Sequence, residues 1–201
     1  MIAAHPDGTV ELRVPLRYTR EQGEELLRTH DALVRRLLRR AAALPPRHRW
    51  REGEIFHCLG RECVLRFSER LLRVEEGVLL VPRGDEAGIR ASLAALYRRI
   101  AAELLPKRVR ELDRSPEAAT RTIRISSAAT RWGSCSSTGV ISLSWRLAQC
   151  PPELIDYVIL HELTHLREMN HSPRFWQLLE TRCPGAKRLR DRLRFYAANS
   201  I

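Results

Sequence analysis

Apolar residues recur along the chain with two periods, and the changes between them mark its elements. Over residues 9–18, Val10, Leu12, Val14 and Leu16 alternate with other positions, which predicts a strand that Pro15 ends or confines to an edge. Thr19 then caps a predicted helix reaching about Ala43, with Leu26, Leu27, Leu33, Val34, Leu37 and Leu38 on its apolar stripe. Leu44-Pro45-Pro46 ends that helix and begins a linker. From Trp50 the period shortens. Residues 50–56, 61–67, 71–75 and 78–82 read as short strands, with turns at Gly53, Leu59-Gly60 and Glu76-Gly77, and predict a small antiparallel sheet. A long helix follows over roughly 86–112, burying Leu93, Leu96, Tyr97, Ile100, Leu104 and Leu105, with Pro106 expected to kink or break it.

Ser115-Pro116 closes that region. Residues 120–126 alternate Thr122 and Arg124 against Ile123 and Ile125, a strand pattern. Residues 131–136 form a polar, small-residue segment, and 140–147 alternate again through Ile141, Leu143 and Trp145. A helix is predicted from Glu153 to about Arg167, then two more over 172–181 and 187–196, separated by Pro184-Gly185. No internal repeat or low-complexity tract appears.

At 201 residues the chain is long enough to bury a real core. No run approaches a membrane span, and the first ten residues lack the regions of a signal peptide, so a cytoplasmic protein without membrane contact is expected. Five cysteines, odd in number and without C-x-x-C spacing, argue against both a disulfide framework and a cysteine zinc site. The net charge is +11, carried almost wholly by arginine, since Lys107 and Lys187 are the only lysines. The arginines lie along predicted helices with no nucleic-acid motif beside them. Solvated faces and a polyanion- or nucleic-acid-binding surface both remain open readings.

The chemistry concentrates in the helix from Glu153. His161-Glu162-Leu163-Thr164-His165 is H-E-x-x-H, which puts two imidazoles one turn apart on the same helix face. Such a pair chelates one Zn²⁺, with Glu162 beside it as general base. A catalytic zinc needs a third protein ligand and an open position for water, and His171 is the candidate third ligand. Ile155, Ile159, Leu163 and Leu166 fall on an arc largely away from the histidines, predicting a helix buried on one side. Ser172-Pro173 reads as an N-cap and N1 proline, so the chain must break between Glu168 and Ser172, as a returning ligand requires.

Further motifs accompany this one. Arg131-Trp132-Gly133-Ser134-Cys135, Ile141-Ser142-Leu143-Ser144-Trp145-Arg146-Leu147, the H-E-x-x-H stretch, Asn170-His171-Ser172 and Phe175-Trp176 resemble the YgjP-like metal-dependent hydrolase family. Coverage runs from about Trp50 to about Leu179, with no counterpart for the first 48 residues. The resemblance implies an α+β fold with a zincin-like metallopeptidase core: a backing helix, a small sheet, and the H-E-x-x-H helix beneath the sheet's edge strand. The chain then divides into an N-terminal strand and helix extension (1–48), a small antiparallel β region (49–84) and the hydrolase core (85–201). The ligand pattern is similar to that of the SprT-like and Wss-like proteases, and the histidine spacing equals that of the metzincins. Glu168 stands where a metzincin has glycine, so Met169-Asn170 is expected to supply the turn, asparagine tolerating positive φ.

The expected activity is zinc-dependent peptide hydrolysis, with one Zn²⁺ per chain and a protein or peptide substrate. Alternatives are a nucleotide triphosphate pyrophosphatase, another metal-dependent hydrolase, or a basic nucleic-acid-associated protein with DNA-linked protease activity. Absence of G-x-x-x-x-G-K-[ST] and of an acidic cluster favours the peptidase. A purely structural zinc site would not need Glu162. Gly133 and Ser134 would let a substrate backbone approach an edge strand, making Arg131, Trp132, Gly133 and Ser134 candidate substrate-binding residues. The other reading is a tight loop whose Trp132 fills core. Arg131, Tyr157 and Tyr196 are candidate oxyanion stabilisers by residue type alone, and core packing is the simpler role for Tyr157. Cys135 is not expected to ligate once three histidines do. His5, His30, His48 and His57 stand alone.

Overall fold

The computed structural model describes residues 2–4, 9–42, 48–70, 72–113, 122–199 and 201. The predicted linker at Leu44-Pro45-Pro46, the Ser115-Pro116 break, His5, Leu71 and Thr120 lie outside these. The chain divides into two compact units, Met1–His48 and Arg49–Ile201.

In the first unit, β1 (Ile2–Ala4) pairs antiparallel with β2 (Val10–Leu12), Ile2 opposite Leu12. The strand predicted over 9–18 is shorter, because Pro15 turns the chain and its carbonyl accepts from the Tyr18 N–H at 3.0 Å. Thr19 caps α1 (Arg20–Thr29) through a reciprocal box: its hydroxyl accepts from the Gln22 N–H at 3.3 Å, and the Gln22 side chain accepts from the Thr19 N–H at 2.9 Å. The single helix predicted to about Ala43 is two. His30 leaves helical geometry at φ −105°, ψ 26°, its ring bonded back to the Leu26 carbonyl at 2.9 Å, and Asp31 opens α2 (Asp31–Ala42).

The second unit begins with β3 (Ile55–Cys58), β4 (Arg61–Ser68), β5 (Arg73–Glu75) and β6 (Val78–Pro82), hydrogen-bonded in the order β3-β4-β6-β5. This sheet is mixed rather than antiparallel, since β4 and β6 run parallel, Leu65 beside Leu79 and Phe67 beside Val81. Composition explains the order. Val78-Leu79-Leu80-Val81 buries alternate residues and suits a central position, whereas Arg73-Val74-Glu75 presents charges outward and suits an edge.

Asp85 caps α3 (Glu86–Leu112), its carboxylate accepting from the Gly88 N–H at 2.8 Å. The helix runs unbroken through Pro106, contrary to expectation. An interior proline costs about 3 kcal/mol, and here complete burial of Leu105 and Val109 on either side offsets it. A second sheet, ordered β7-β9-β8, contains β7 (Thr122–Ser126), β8 (Gly133–Cys135) and β9 (Val140–Ser144). β7 and β9 are parallel, and β8 pairs antiparallel on β9, leaving β8 as the edge. The strand predicted through Leu147 ends at Ser144, whose hydroxyl caps a 3₁₀ helix over Trp145–Gln149.

α4 (Pro152–His165) follows, then α5 (Pro173–Arg182) and α6 (Ala186–Asn199). One-sided burial of α4 was expected; instead Leu154, Ile155, Tyr157, Val158, Ile159, Leu160, Leu163 and Thr164 are all buried, as befits a helix surrounded by others. Two contacts fix its start and flank. A Cβ on Gly60 would lie 2.5 Å from Cβ of Pro151, so only glycine lets the β3–β4 turn reach the head of α4. Arg108 of α3 grips Asp156 of α4 bidentately, at 2.6 Å on each oxygen. The core is shared by the first sheet, α3, β9 and α4, from Phe56 and Leu79 through Tyr97 to Leu143 and Ile159. This is a mixed α+β fold. No described helix is long and apolar enough to cross a membrane.

Candidate metal centre

α4 delivers His161 and His165 one turn apart, His161 half-buried and His165 buried. Past His165 the backbone tightens, with the Arg167 and Glu168 N–H groups both bonded to the Thr164 carbonyl at 3.0 Å. The positive φ expected at Met169-Asn170 is not used where the chain reverses; among described non-glycine residues only Trp50, Leu59 and Glu76 adopt it. Ser172 then caps α5, its hydroxyl accepting from the Phe175 N–H at 3.3 Å. That cap and Pro173 fix the segment carrying His171 back.

The result is a cluster. His161, His165 and His171 each offer a ring nitrogen within 4.8 Å of the others. Nε2 of His171 lies 3.0 Å from Nε2 of His161. Phe175 packs against all three rings, at centroid distances of 4.9, 4.6 and 4.8 Å, and Trp176 stacks on His171 at 6.0 Å. Nδ1 of His165 lies 3.1 Å from the Glu168 carbonyl. A carbonyl only accepts, so Nδ1 carries the proton and the Nε2 lone pair is left for a ligand bond. Burial pushes the His161 pKa down to about 3, with His165, His171 and Arg190 adding to it, and burial also lowers that of His165. These two imidazoles are therefore neutral at pH 7, the form that binds a metal. Two lone pairs meeting at 3.0 Å need a cation or proton between them, so the donor set fits a divalent ion taking nitrogen ligands.

Glu162 stands beside this cluster, buried, its Oε2 without a hydrogen-bond partner. Burial raises its pKa to about 7, and the positive charge of Arg131 opposes the rise. Gly133 lies directly against it: an added Cβ would fall 2.6 Å from Oε1 of Glu162.

The remaining sequence candidates separate. Arg131 is exposed near Glu162, and Ser134 is half-buried in β8 opposite Ser142. Trp132 is partly buried against the core, and its carbonyl accepts from the Ser144 N–H at 2.8 Å. The 131–136 segment is thus an edge strand and a core contact at once. Tyr157 is buried with its ring 5.9 Å from that of His161, and burial raises its pKa to about 12. Tyr196 packs edge-on to His57 and feels Arg192 and Glu153, at the first turn of α4. Cys135 is not in the donor cluster, nor are His30, His48 and His57. Three participants were not singled out from residue type: the Glu168 carbonyl, Phe175 as a floor for the imidazoles, and Arg190, which lies 5.2 Å over Trp176. The position of Phe175 just inside the Ser172-Pro173 cap was the available signal for the second.

A family model described as YgjP-like, metallopeptidase domain, matches residues 1–196, including the first 48 residues that the motifs left unassigned. No curated protein matches the chain. Among solved structures, the metallopeptidase zymogen of Pyrococcus abyssi abylysin is 25% identical, covering 45% of this chain and 91% of that one with a TM-score of 0.41.

Proposed function

The chain belongs to the YgjP-like metallopeptidase family, and from that premise we propose that it cleaves peptide bonds with one zinc ion held by His161, His165 and His171 and with Glu162 as general base. The observation that carries this reading is the convergence of three ring nitrogens within 4.8 Å beside a buried carboxylate.

When bound, zinc supplies a Lewis acid that polarises the scissile carbonyl and lets water lose a proton near neutral pH. His165 is held in the ligating tautomer by the Glu168 carbonyl. Glu162 accepts the proton at its carboxylate and returns it to the leaving amine; burial keeps the group ready for both transfers. Phe175, beneath the imidazoles, keeps bulk water from that side. β8, Gly133–Cys135, is an edge strand, and its outer edge suits an extended peptide whose backbone adds to the sheet. Arg131, two residues before β8, is a cation whose charge acts on Glu162, and it is a candidate contact for the substrate.

The test is cleavage of an unfolded protein substrate by the zinc-loaded chain and by Glu162→Gln. Loss of cleavage on the order of 10³-fold with zinc retained supports the reading. Cleavage only of nucleoside triphosphates, best with Mg²⁺, would replace it with the pyrophosphatase. A requirement for DNA would favour DNA-linked proteolysis.

A further inference from the structure

The histidine cluster is flanked on two sides. β8 approaches it through the contact of Gly133 with Glu162. α5 and α6 approach it through Trp176 and Arg190. The Trp176 ring stacks on that of His171 at 6.0 Å and stands edge-on to that of His161 at 6.3 Å. The Arg190 guanidinium lies over the same indole, 5.2 Å from its centre. A single indole therefore contacts both the cation and two of the three imidazoles. The charge reaches the centre: Arg190 adds to the lowering of the His161 pKa and opposes the rise that burial gives Tyr157, one turn earlier on α4.

The donors of Arg190 are little used. None of its N–H groups is hydrogen-bonded to a described residue, and its one ion-pair contact is with Asp191 at 3.9 Å. Asp191 makes its shorter contact, 3.2 Å, with Arg194. The indole orders the guanidinium without consuming its N–H groups, which lie in the guanidinium plane. The side chain is 44% exposed, so a substrate can reach it. Most surface arginines with such contacts do no more than face solvent. Arg190 differs in being seated against the metal ligands.

We propose that Arg190 determines substrate specificity at this centre by pairing with a carboxylate of the bound peptide on the α6 side of the histidine cluster. The inference rests on the peptidase reading, from which the peptide is taken. A guanidinium fork matches a carboxylate bidentately. An apolar substrate group at that place would desolvate the cation with no return, and a basic one would meet like charge. The carboxylate has two sources with the same chemistry: an acidic side chain near the scissile bond, or the α-carboxylate at a peptide's end.

The test reads binding, by fluorescence anisotropy, to the zinc-loaded Glu162→Gln protein, which holds a peptide without turnover. End-blocked, labelled decapeptides carry one aspartate stepped through every position, or asparagine in its place, and a third set ends in an unblocked α-carboxylate. At one position aspartate should bind at least tenfold more tightly than asparagine. Adding Arg190→Gln should abolish that ratio, and Arg190→Glu should turn the preference to lysine at the same position. Arg190 is exposed, so these variants retain the fold. Arg188→Gln, exposed and about 200° round α6, should leave the ratio intact, which separates local pairing from net charge. A preference found only for the unblocked carboxylate, and lost in Arg190→Gln, upholds the pairing and assigns it to chain ends. Equal binding of the aspartate and asparagine sets with no chain-end effect overturns the proposal. So does a preference that survives Arg190→Gln, or no peptide binding at all. The two readings fail separately. Cleavage by the unaltered protein at sites without a nearby carboxylate would sink this inference and leave the peptidase, whereas selective binding without any cleavage would do the reverse.

Discussion

Gly133 and Glu162 touch in a way only glycine permits. A Cβ at position 133 would stand 2.6 Å from Oε1, 2.8 Å from Cγ and 2.9 Å from Cδ of Glu162. The edge strand thereby forms one wall of the slot that holds the carboxylate. Gly133→Ala should destabilise the protein by about 1–3 kcal/mol through overpacking. It should also lower kcat on the order of 10²-fold, because the base is displaced. All three clashing atoms vanish in Glu162→Ala, so adding Gly133→Ala to that variant should leave stability nearly unchanged. Denaturant unfolding of the four proteins measures this; equal destabilisation in both backgrounds would show that the slot does not depend on Glu162.

The raised pKa of Glu162 has a consequence for the metal-free protein. Folding lifts this carboxylate from 4.5 to about 7, so its neutral form is favoured when folded. Its contribution to stability is therefore greatest below pH 4.5 and is lost as pH rises through 7. Glu162→Gln removes that dependence. Relative to wild type, the variant should gain about 2 kcal/mol between pH 5.5 and pH 8. Acidification weakens both proteins alike, because His161 and His165 resist protonation when folded, and this cancels in the difference. Urea unfolding of the two chelator-treated proteins across that range is the measurement. A constant difference would mean the carboxylate is ionised in the folded protein throughout.

Ser172 ties the returning segment to α5 through the Phe175 N–H. Ser172→Ala should cost about 1 kcal/mol as a lost cap. Because the same cap holds the segment bearing His171, zinc affinity should fall as well, by several-fold, in a competition titration with a chromophoric chelator. Unchanged affinity at reduced stability would show that His171 is positioned independently of the helix start.

Phe175 lies under all three imidazoles and is fully buried. Phe175→Leu keeps most of the apolar volume but removes the flat ring against which the histidines rest. A stability loss of about 1–2 kcal/mol is expected, together with weaker zinc binding. Thermal unfolding with and without zinc separates the two effects.

The local chemistry of the site was legible in the sequence because it depends on short-range spacing. His161 and His165 share a face through helical period, and Ser172-Pro173 announces the helix start that returns His171. Long-range pairing was not. Nothing local to Arg73-Val74-Glu75 says that Val78–Pro82 will insert between it and β4, making the first sheet mixed. Pro106 argued for a break, yet tertiary burial of Leu105 and Val109 overrode local propensity. His30 has no breaker beside it, and the division of the predicted first helix depended on its own ring bonding back to Leu26. The Gly133–Glu162 contact joins residues 29 apart in sequence, and only the placement of β8 over α4 reveals it.

Metal content bears on the whole account most directly. Purified protein, its His161→Ala, His165→Ala and His171→Ala variants, and Glu162→Gln are dialysed against zinc and measured by elemental analysis. One zinc per chain is expected for the unaltered protein and for Glu162→Gln, with marked loss in each histidine variant. Zinc bound equally well after any of the three histidines is removed, or no zinc bound at all, would contradict the centre described here.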